Sequence, residues 1–234
     1  MNVLAIGAHP DDIEIFMFGL LASCAARGDR IDYVIATDGA RGGKGDPAAL
    51  SAQRKAEAQA AADLLGARLH LLELADGELL ADLALLRGLK AVIAATAPDF
   101  IVTHAANDYH GDHRALSEGV RIAASFAAPV VYCDTLRGVG FAPTHYVDIT
   151  DHVEAKDRAI RCHASQDPER FVTASRRLSA FRASQANAPD GDHAEAYRFD
   201  PIFPFVDIRD LLPKAPRVRP VVNRESAGPE PHAS

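Results

Sequence analysis

The stretch Val3-Leu4-Ala5-Ile6-Gly7-Ala8-His9-Pro10-Asp11-Asp12-Ile13-Glu14 decides the reading of this chain. Val3 to Gly7 is a short apolar run of the kind a strand buried on both faces requires. Ile13, Phe16, Met17, Leu20, Leu21 and Cys24 then recur at helical spacing, and Gly28 follows as the residue just past the helix end. Strand, polar turn and helix form a unit, which the chain repeats. Tyr33 to Thr37 predicts a second strand, followed by the glycine-rich segment 38–47. Asp46 as N-cap and Pro47 in the first turn open an alanine-rich helix that runs to about Leu65. Leu69 to Leu72, Phe100 to Thr103 and Val130 to Cys133 read as strands three to five. Leu83, Leu86, Leu89, Val92 and Ile93 mark an amphipathic helix, and further helices fall at 113–125, 151–163 and 168–184. One later strand is expected near Tyr146 to Ile149. Strands alternating with helices predict an α/β fold: a doubly wound, mostly parallel sheet flanked by helices.

The 234 residues suffice for one core, so a single domain over 1–211 is expected. From about Leu212 the pattern changes to five prolines with little periodicity, which reads as a C-terminal tail (212–234), either disordered or laid as an arm on a neighbouring subunit. A homo-oligomer is therefore an open expectation. Subtracting 32 acidic from 25 basic side chains leaves a net charge of −7, which offers no attraction to nucleic acid or anionic lipid. No apolar run reaches the ~18 residues of a membrane span. The N-terminus lacks a basic signal-peptide region, and Cys24, Cys133 and Cys162 fit no disulfide framework. A cytoplasmic protein with a small-molecule partner is expected.

Ligands of open α/β sheets bind beyond the carboxyl ends of the strands. The unusual residues fall on that rim. His9-Pro10-Asp11-Asp12 follows strand one, the glycine-rich loop strand two, Asp76 strand three, and the segment 104–113, with His110-Gly111-Asp112-His113, strand four. His9 and Asp12, three apart in a helical turn, can grip one ion while Asp11 points elsewhere. A plainer account has both aspartates capping the helix, and makes 110–113 a polar loop with Asp112 as N-cap. Two such clusters on one rim favour a metal site. Two histidines and one carboxylate leave a coordination position open, as in catalytic zinc sites, and also suit iron(II) oxygenases. The segment GARGGKG (39–45) does not complete a phosphate loop, because Gly45 stands where Ser or Thr is needed. It reads instead as flexible backbone close to a ligand, with Arg41 as a polar contact. His70 and His104 read as strand-end residues, and His145, His152, His163 and His193 form no second cluster.

These residues resemble the LmbE / PIG-L-like family of zinc-dependent N-acetylglucosaminyl deacetylases. The likeness rests on Ala8-His9-Pro10-Asp11-Asp12 with Glu14, Thr37-Asp38-Gly39 with Gly42, Arg54 with Glu57 leading to Leu65-Gly66, and Asp76-Gly77. It continues with His110, Asp112 and His113, then Lys156 and His163-Ala164-Ser165-Gln166. The resemblance implies a Rossmann-like fold and removal of the N-acetyl group from an N-acetylglucosamine-type amino sugar or its glycoside. It implies His9, Asp12 and His113 as ligands of Zn2+ (Fe2+ or another divalent ion being the variant), Asp11 as general base, and His110 as the oxyanion-stabilising residue with Asp112 as its charge partner. Arg54 and Asp76 match positions that hold the sugar. The rival readings are an iron(II)-dependent oxidoreductase using the same three ligands and a non-catalytic sugar-binding protein.

Overall fold

The computed structural model describes residues 1–221. Seven strands form one sheet in the order β3-β2-β1-β4-β5-β7-β6. β1 (Asn2–Gly7) lies at the centre of its five parallel strands, paired with β2 (Arg30–Thr37) and β4 (Phe100–Thr103). β3 (Arg68–Leu74) and β5 (Val130–Cys133) extend the parallel part outward. The continuous apolar run of β1 follows from this position. Val3 and Ala5 face one core layer and Leu4 and Ile6 the other, as the two-residue period of a strand dictates.

The first layer packs α1 (Asp12–Phe16), α2 (Phe18–Ala26) and α3 (Pro47–Asp63) on the sheet, and the second packs α4 (Leu83–Thr96) and α5 (Gly111–Ala123). Asp46 caps α3 as expected, accepting from Ala49 N–H at 3.0 Å. α6 (Val153–Arg161) and α7 (Pro168–Gln185) complete the helices. The fold is the expected α/β one, with a mostly parallel sheet flanked by helices.

Two elements depart from the sequence reading. The helix expected from Ile13 to Cys24 breaks at Met17 (φ −132°) into α1 and α2. The second departure explains the first. β7 (Ala194–Phe199), which the sequence did not announce, runs antiparallel between β5 and β6 (His145–Asp148). Its Glu195 is buried and accepts the amide N–H groups of Gly19 (2.9 Å) and Leu20 (2.8 Å), capping the start of α2 with a carboxylate. Lys156 Nζ, 2.6 Å away, balances that charge.

Of the stretch read as a tail, residues 212–221 lie on this same chain. Asp148 N–H donates to Lys214 O at 2.9 Å, and Arg219 N–H donates to Asn187 O at 2.8 Å. Residues 222–234 fall outside the described part. The three cysteines are unpaired thiols, and among the described residues no helix is long and apolar enough to cross a membrane.

Candidate active site

The parallel pairing of Ile6 with Thr103 sets the two rim turns side by side, so that the residues after β1 meet those after β4. The turn after β1 is strained at its centre. Asp11 has φ 126°, a conformation that side-chain-bearing residues rarely adopt, and its side chain makes no capping hydrogen bond. The capping account of Asp11 therefore fails. Arg54 holds the turn in place. Its guanidinium donates to Pro10 O (2.7 Å), Gly39 O (3.0 Å) and Asp11 Oδ1 (3.3 Å).

Arg54 is only 3% exposed, so it is not the solvent-facing arginine that an alanine-rich helix invites. The glycine-rich loop is correspondingly close-packed. A methyl group on Gly42 would sit 2.1 Å from Arg54 Nη1, and Gly39, at φ +67°, rests on the Pro10 ring. Close approach to Arg54 explains these glycines better than backbone flexibility does.

Asp12 is the hub of the site. Its buried carboxylate is faced by His9 Nδ1 (3.2 Å), His113 Nε2 (3.3 Å) and His104 Nε2 (3.1 Å). The remaining nitrogens turn to other acids. His9 Nε2 lies 3.1 Å from Asp112 Oδ2 and 3.3 Å from Asp76 Oδ1, while His113 Nδ1 lies 3.4 Å from Asp108 Oδ2. Burial disfavours a charged His9, yet Asp12, Asp112 and Asp76 outweigh it and raise its pKa to about 12. His113 likewise rises to about 9 against burial, through Asp12 and Asp108. Imidazoles held so strongly positive mark a place where the protein has concentrated negative charge.

The donor set suits a divalent cation. His9, His110 and His113 form one group able to hold an ion, Asp12, His104 and His113 a second, and His9, Asp76 and Asp112 a third. The expected set of His9, Asp12 and His113 is not itself one of these groups and takes its members from the first two. In that set each histidine would keep a carboxylate behind its second nitrogen, an arrangement that orients metal-binding imidazoles.

His104 is the residue that sequence reasoning missed. Its ring stacks on that of His113, with centroids 3.8 Å apart, and burial together with His113 lowers its pKa to about 4. Its Nε2 accepts the Ala8 N–H at 3.2 Å and lies 3.1 Å from Asp12 Oδ2, so the ring ties the end of β1 to the hub carboxylate. The signal was its place directly after β4, the strand beside β1.

Two other expectations change. The N-cap of α5 is His110, whose Nδ1 accepts from Asp112 N–H at 3.2 Å, so Asp112 does not cap the helix. Nor does the Asp112 carboxylate pair with His110; it accepts from Gly77 N–H (2.7 Å) and faces His9. Burial, then His9 and His113, lower the pKa of His110, and because its Nδ1 accepts from Asp112 N–H its Nε2 is the nitrogen left to donate.

Below the turn, His163 Nε2 meets Glu14 Oε2 at 2.9 Å, both deeply buried, and Glu57 accepts from Ser165 N–H (2.9 Å) and Oγ–H (2.7 Å). The late segment 163–166 thus braces the turn from below. Asp11 responds to all of this: burial and Asp12 raise its pKa to about 7, against Arg54, His163 and His9.

These groups open into a cleft of about 330 Å³. Its lining includes His9, Asp11, Asp12, His110 and His113, with Arg41, Arg54, Asp76 and Gln166 at the sides and Ile15, Phe16, Leu136, Tyr109 and Phe171 supplying apolar surface. Asp76 spends its oxygens on His9 and on Arg41 N–H (2.9 Å), and the Arg41 side chain pairs with Glu78.

Comparison with known proteins gives four informative likenesses. The family model described as GlcNAc-PI de-N-acetylase (PIG-L) matches residues 4–124. The diacetylchitobiose deacetylase of Thermococcus kodakarensis is 31% identical over 189 residues, covering 72% of this chain and 71% of that protein. Among solved structures, the N,N'-diacetylchitobiose deacetylase from Pyrococcus horikoshii superposes with TM-score 0.76 at 26% identity, covering 88% of each chain. The 4-carboxy-2-hydroxymuconate hydratase from Pseudomonas putida KT2440 gives TM-score 0.78 at 25% identity, covering 86% of this chain and 98% of its own.

Proposed function

From the premise that this chain belongs to the PIG-L (GlcNAc-PI de-N-acetylase) family, we propose that it is a metal-dependent amidohydrolase removing the acetyl group from an N-acetylglucosamine-type amino sugar or its glycoside. What supports the reading is that one cleft brings His9, Asp12 and His113 together beside a carboxylate, Asp11, that belongs to none of the three groups able to hold an ion. His9, Asp12 and His113 would hold the ion, taken to be zinc with Fe2+ as the variant, which when bound would polarise the amide carbonyl and acidify a water.

The protein's own groups do the rest. Arg54 fixes Asp11 through Oδ1, which leaves Oδ2 to take the proton from water as the water oxygen adds to the acetyl carbon. A pKa near 7 suits a group that must accept this proton and then return it to the departing amine. His110 donates its Nε2–H to the oxygen on which negative charge develops; a neutral ring does this without adding charge beside His9 and His113. Asp112 and Asp76 hold His9 in the ligand orientation. Asp76 and Arg41 stand where the sugar hydroxyls enter, and Arg54 meets the sugar side of the cleft mainly through its grip on Asp11.

Likeness to a hydratase favours one second reading, addition of water across the double bond of an unsaturated carboxylate. The cleft argues against it. Three aspartates line it against Arg41 and Arg54, and both arginines are already paired with acids, so a polyanionic substrate finds little unspent positive charge. Incubation with a panel of N-acetylated amino sugars and with unsaturated dicarboxylates tests the choice. Acetate and free amine in equal amounts are expected. Hydration of the diacid without any acetate release would replace this proposal with the second reading.

A further inference from the structure

Ile15, Phe16, Leu136 and Phe171 line the catalytic cleft on one side and a second, smaller cavity on the other. This slot has a volume of about 40 Å³ and runs between α7 and β7, past Ala174 and Leu178. Phe16 connects the two spaces, since its ring packs edge-on against His113 with centroids 6.0 Å apart. Five charged side chains also border the slot; four cancel in pairs, and the fifth, Arg137, is solvent-exposed. Lys156 sits 2.6 Å from Glu195, and Arg182 grips Asp134 through two hydrogen bonds of 2.6 and 3.0 Å. Apart from these groups and the hydroxyls of Ser175 and Ser179, the wall is hydrocarbon, supplied by Ile15, Phe16, Leu136, Phe171, Ala174 and Leu178.

A slot of this kind suits neither an ion nor a sugar hydroxyl. It suits a short apolar chain entering from the cleft, and the part of an N-acyl substrate that lies beside His113 and is apolar is its acyl group. We propose that the slot receives the acyl chain, so that this enzyme hydrolyses N-acyl amino sugars with chains longer than acetyl. The inference rests on the amidohydrolase reading and names its substrate class. The chemistry is unchanged: the amide C–N bond breaks, water oxygen joins the acyl carbon, the nitrogen gains a proton, and the products are a short carboxylic acid and the free amine.

An apolar cavity of ~150 Å³ holds the six carbons of benzene, roughly 25 Å³ each, so the slot admits about one or two carbons beyond acetyl. Each methylene moved from water into such a slot favours binding about fourfold.

The test compares kcat/KM of the holoenzyme on N-acetyl-, N-propionyl-, N-butyryl- and N-octanoylglucosamine. Ala174→Leu and Leu178→Phe fill the slot from two positions on α7, outside the catalytic groups, and N-acetyl turnover reports that each variant is folded. The expectation is that propionyl and butyryl substrates match or exceed acetyl, that octanoyl fails, and that at least one folded variant loses the butyryl activity tenfold or more while keeping the acetyl activity. A wild-type preference for acetyl of tenfold or more overturns the slot assignment, as does a butyryl activity that survives in both variants. Hydrolysis of none of the four amides would overturn the amidohydrolase reading, and the slot assignment with it.

Discussion

The Asp112 carboxylate lies 3.1 Å from His9 Nε2, across 103 positions of sequence, and turns away from His110 only two positions off. The same carboxylate accepts the N–H groups of Gly77 and Leu79, so one side chain ties together the rim turns that follow β1, β3 and β4. A histidine oriented in this way binds a metal better than a free one. Asp112→Asn should therefore lower the affinity for zinc by about 10- to 100-fold while the fold survives. Competition against a chromophoric chelator reads the affinity directly; a value within twofold of wild type would remove Asp112 from this role.

Asp11 touches no ring nitrogen of the cation site, and its contact is with Arg54. Asp11→Asn preserves size and should retain one equivalent of metal while lowering kcat by ~10²–10⁴-fold. Metal content and single-substrate kinetics on the same preparation check both halves. Near-normal turnover with full metal would show that another group is the base.

Gly42 has no room for a side chain because the Arg54 guanidinium occupies the space. Gly42→Ala should push Arg54 away from Asp11 and reproduce the effect of Arg54→Lys, a fall in kcat of ~10- to 10²-fold with little change in KM. If both variants raised KM alone, Arg54 would be a substrate contact and not a support for Asp11.

Burial disfavours a charged His163, but hydrogen bonding to Glu14, with Asp11 and Glu57 nearby, leaves its pKa raised. A group whose pKa is raised on folding stabilises the protein fully below its unfolded value of ~6.5, and loses that contribution as pH rises through the folded value. The Tm difference between wild type and His163→Gln should therefore be larger at about pH 5.5 than at about pH 9. A difference that grew with pH would have the opposite sign and would mean that the buried ring is neutral.

Most of the sheet could be read from the chain because β1, β2, β4 and β5 are buried on both faces and show it as largely apolar runs, while β3, half-buried at the sheet edge, keeps the pair Leu71-Leu72. β7 escaped for the opposite reason. Its sequence, AEAYRF, carries Glu195 and Arg198, and nothing local reveals that Glu195 is buried against the start of α2 with Lys156 beside it. The break at Met17 was hidden with it, since the periodicity of Ile13 to Cys24 is the same whether the helix is continuous or bent. At the site, the spacing of His9, Asp12, His110 and His113 was enough to bring them to one rim. Which carboxylate stands behind which imidazole was not, because Asp112 and Asp76 reach His9 through loop geometry that spacing does not encode. His104 and Arg54 were underrated because burial, which gives each its role, is a property of the fold.

The central claim, one divalent ion held by His9, Asp12 and His113 and used to hydrolyse an N-acetyl amide, meets its most direct test in a single titration. Protein stripped by chelation receives zinc in fractions of an equivalent while acetate release from an N-acetylglucosamine derivative is recorded. Activity should be absent at the start and rise linearly to a plateau at one ion per chain. Full activity in the stripped protein, or a plateau that demands two ions, would contradict it.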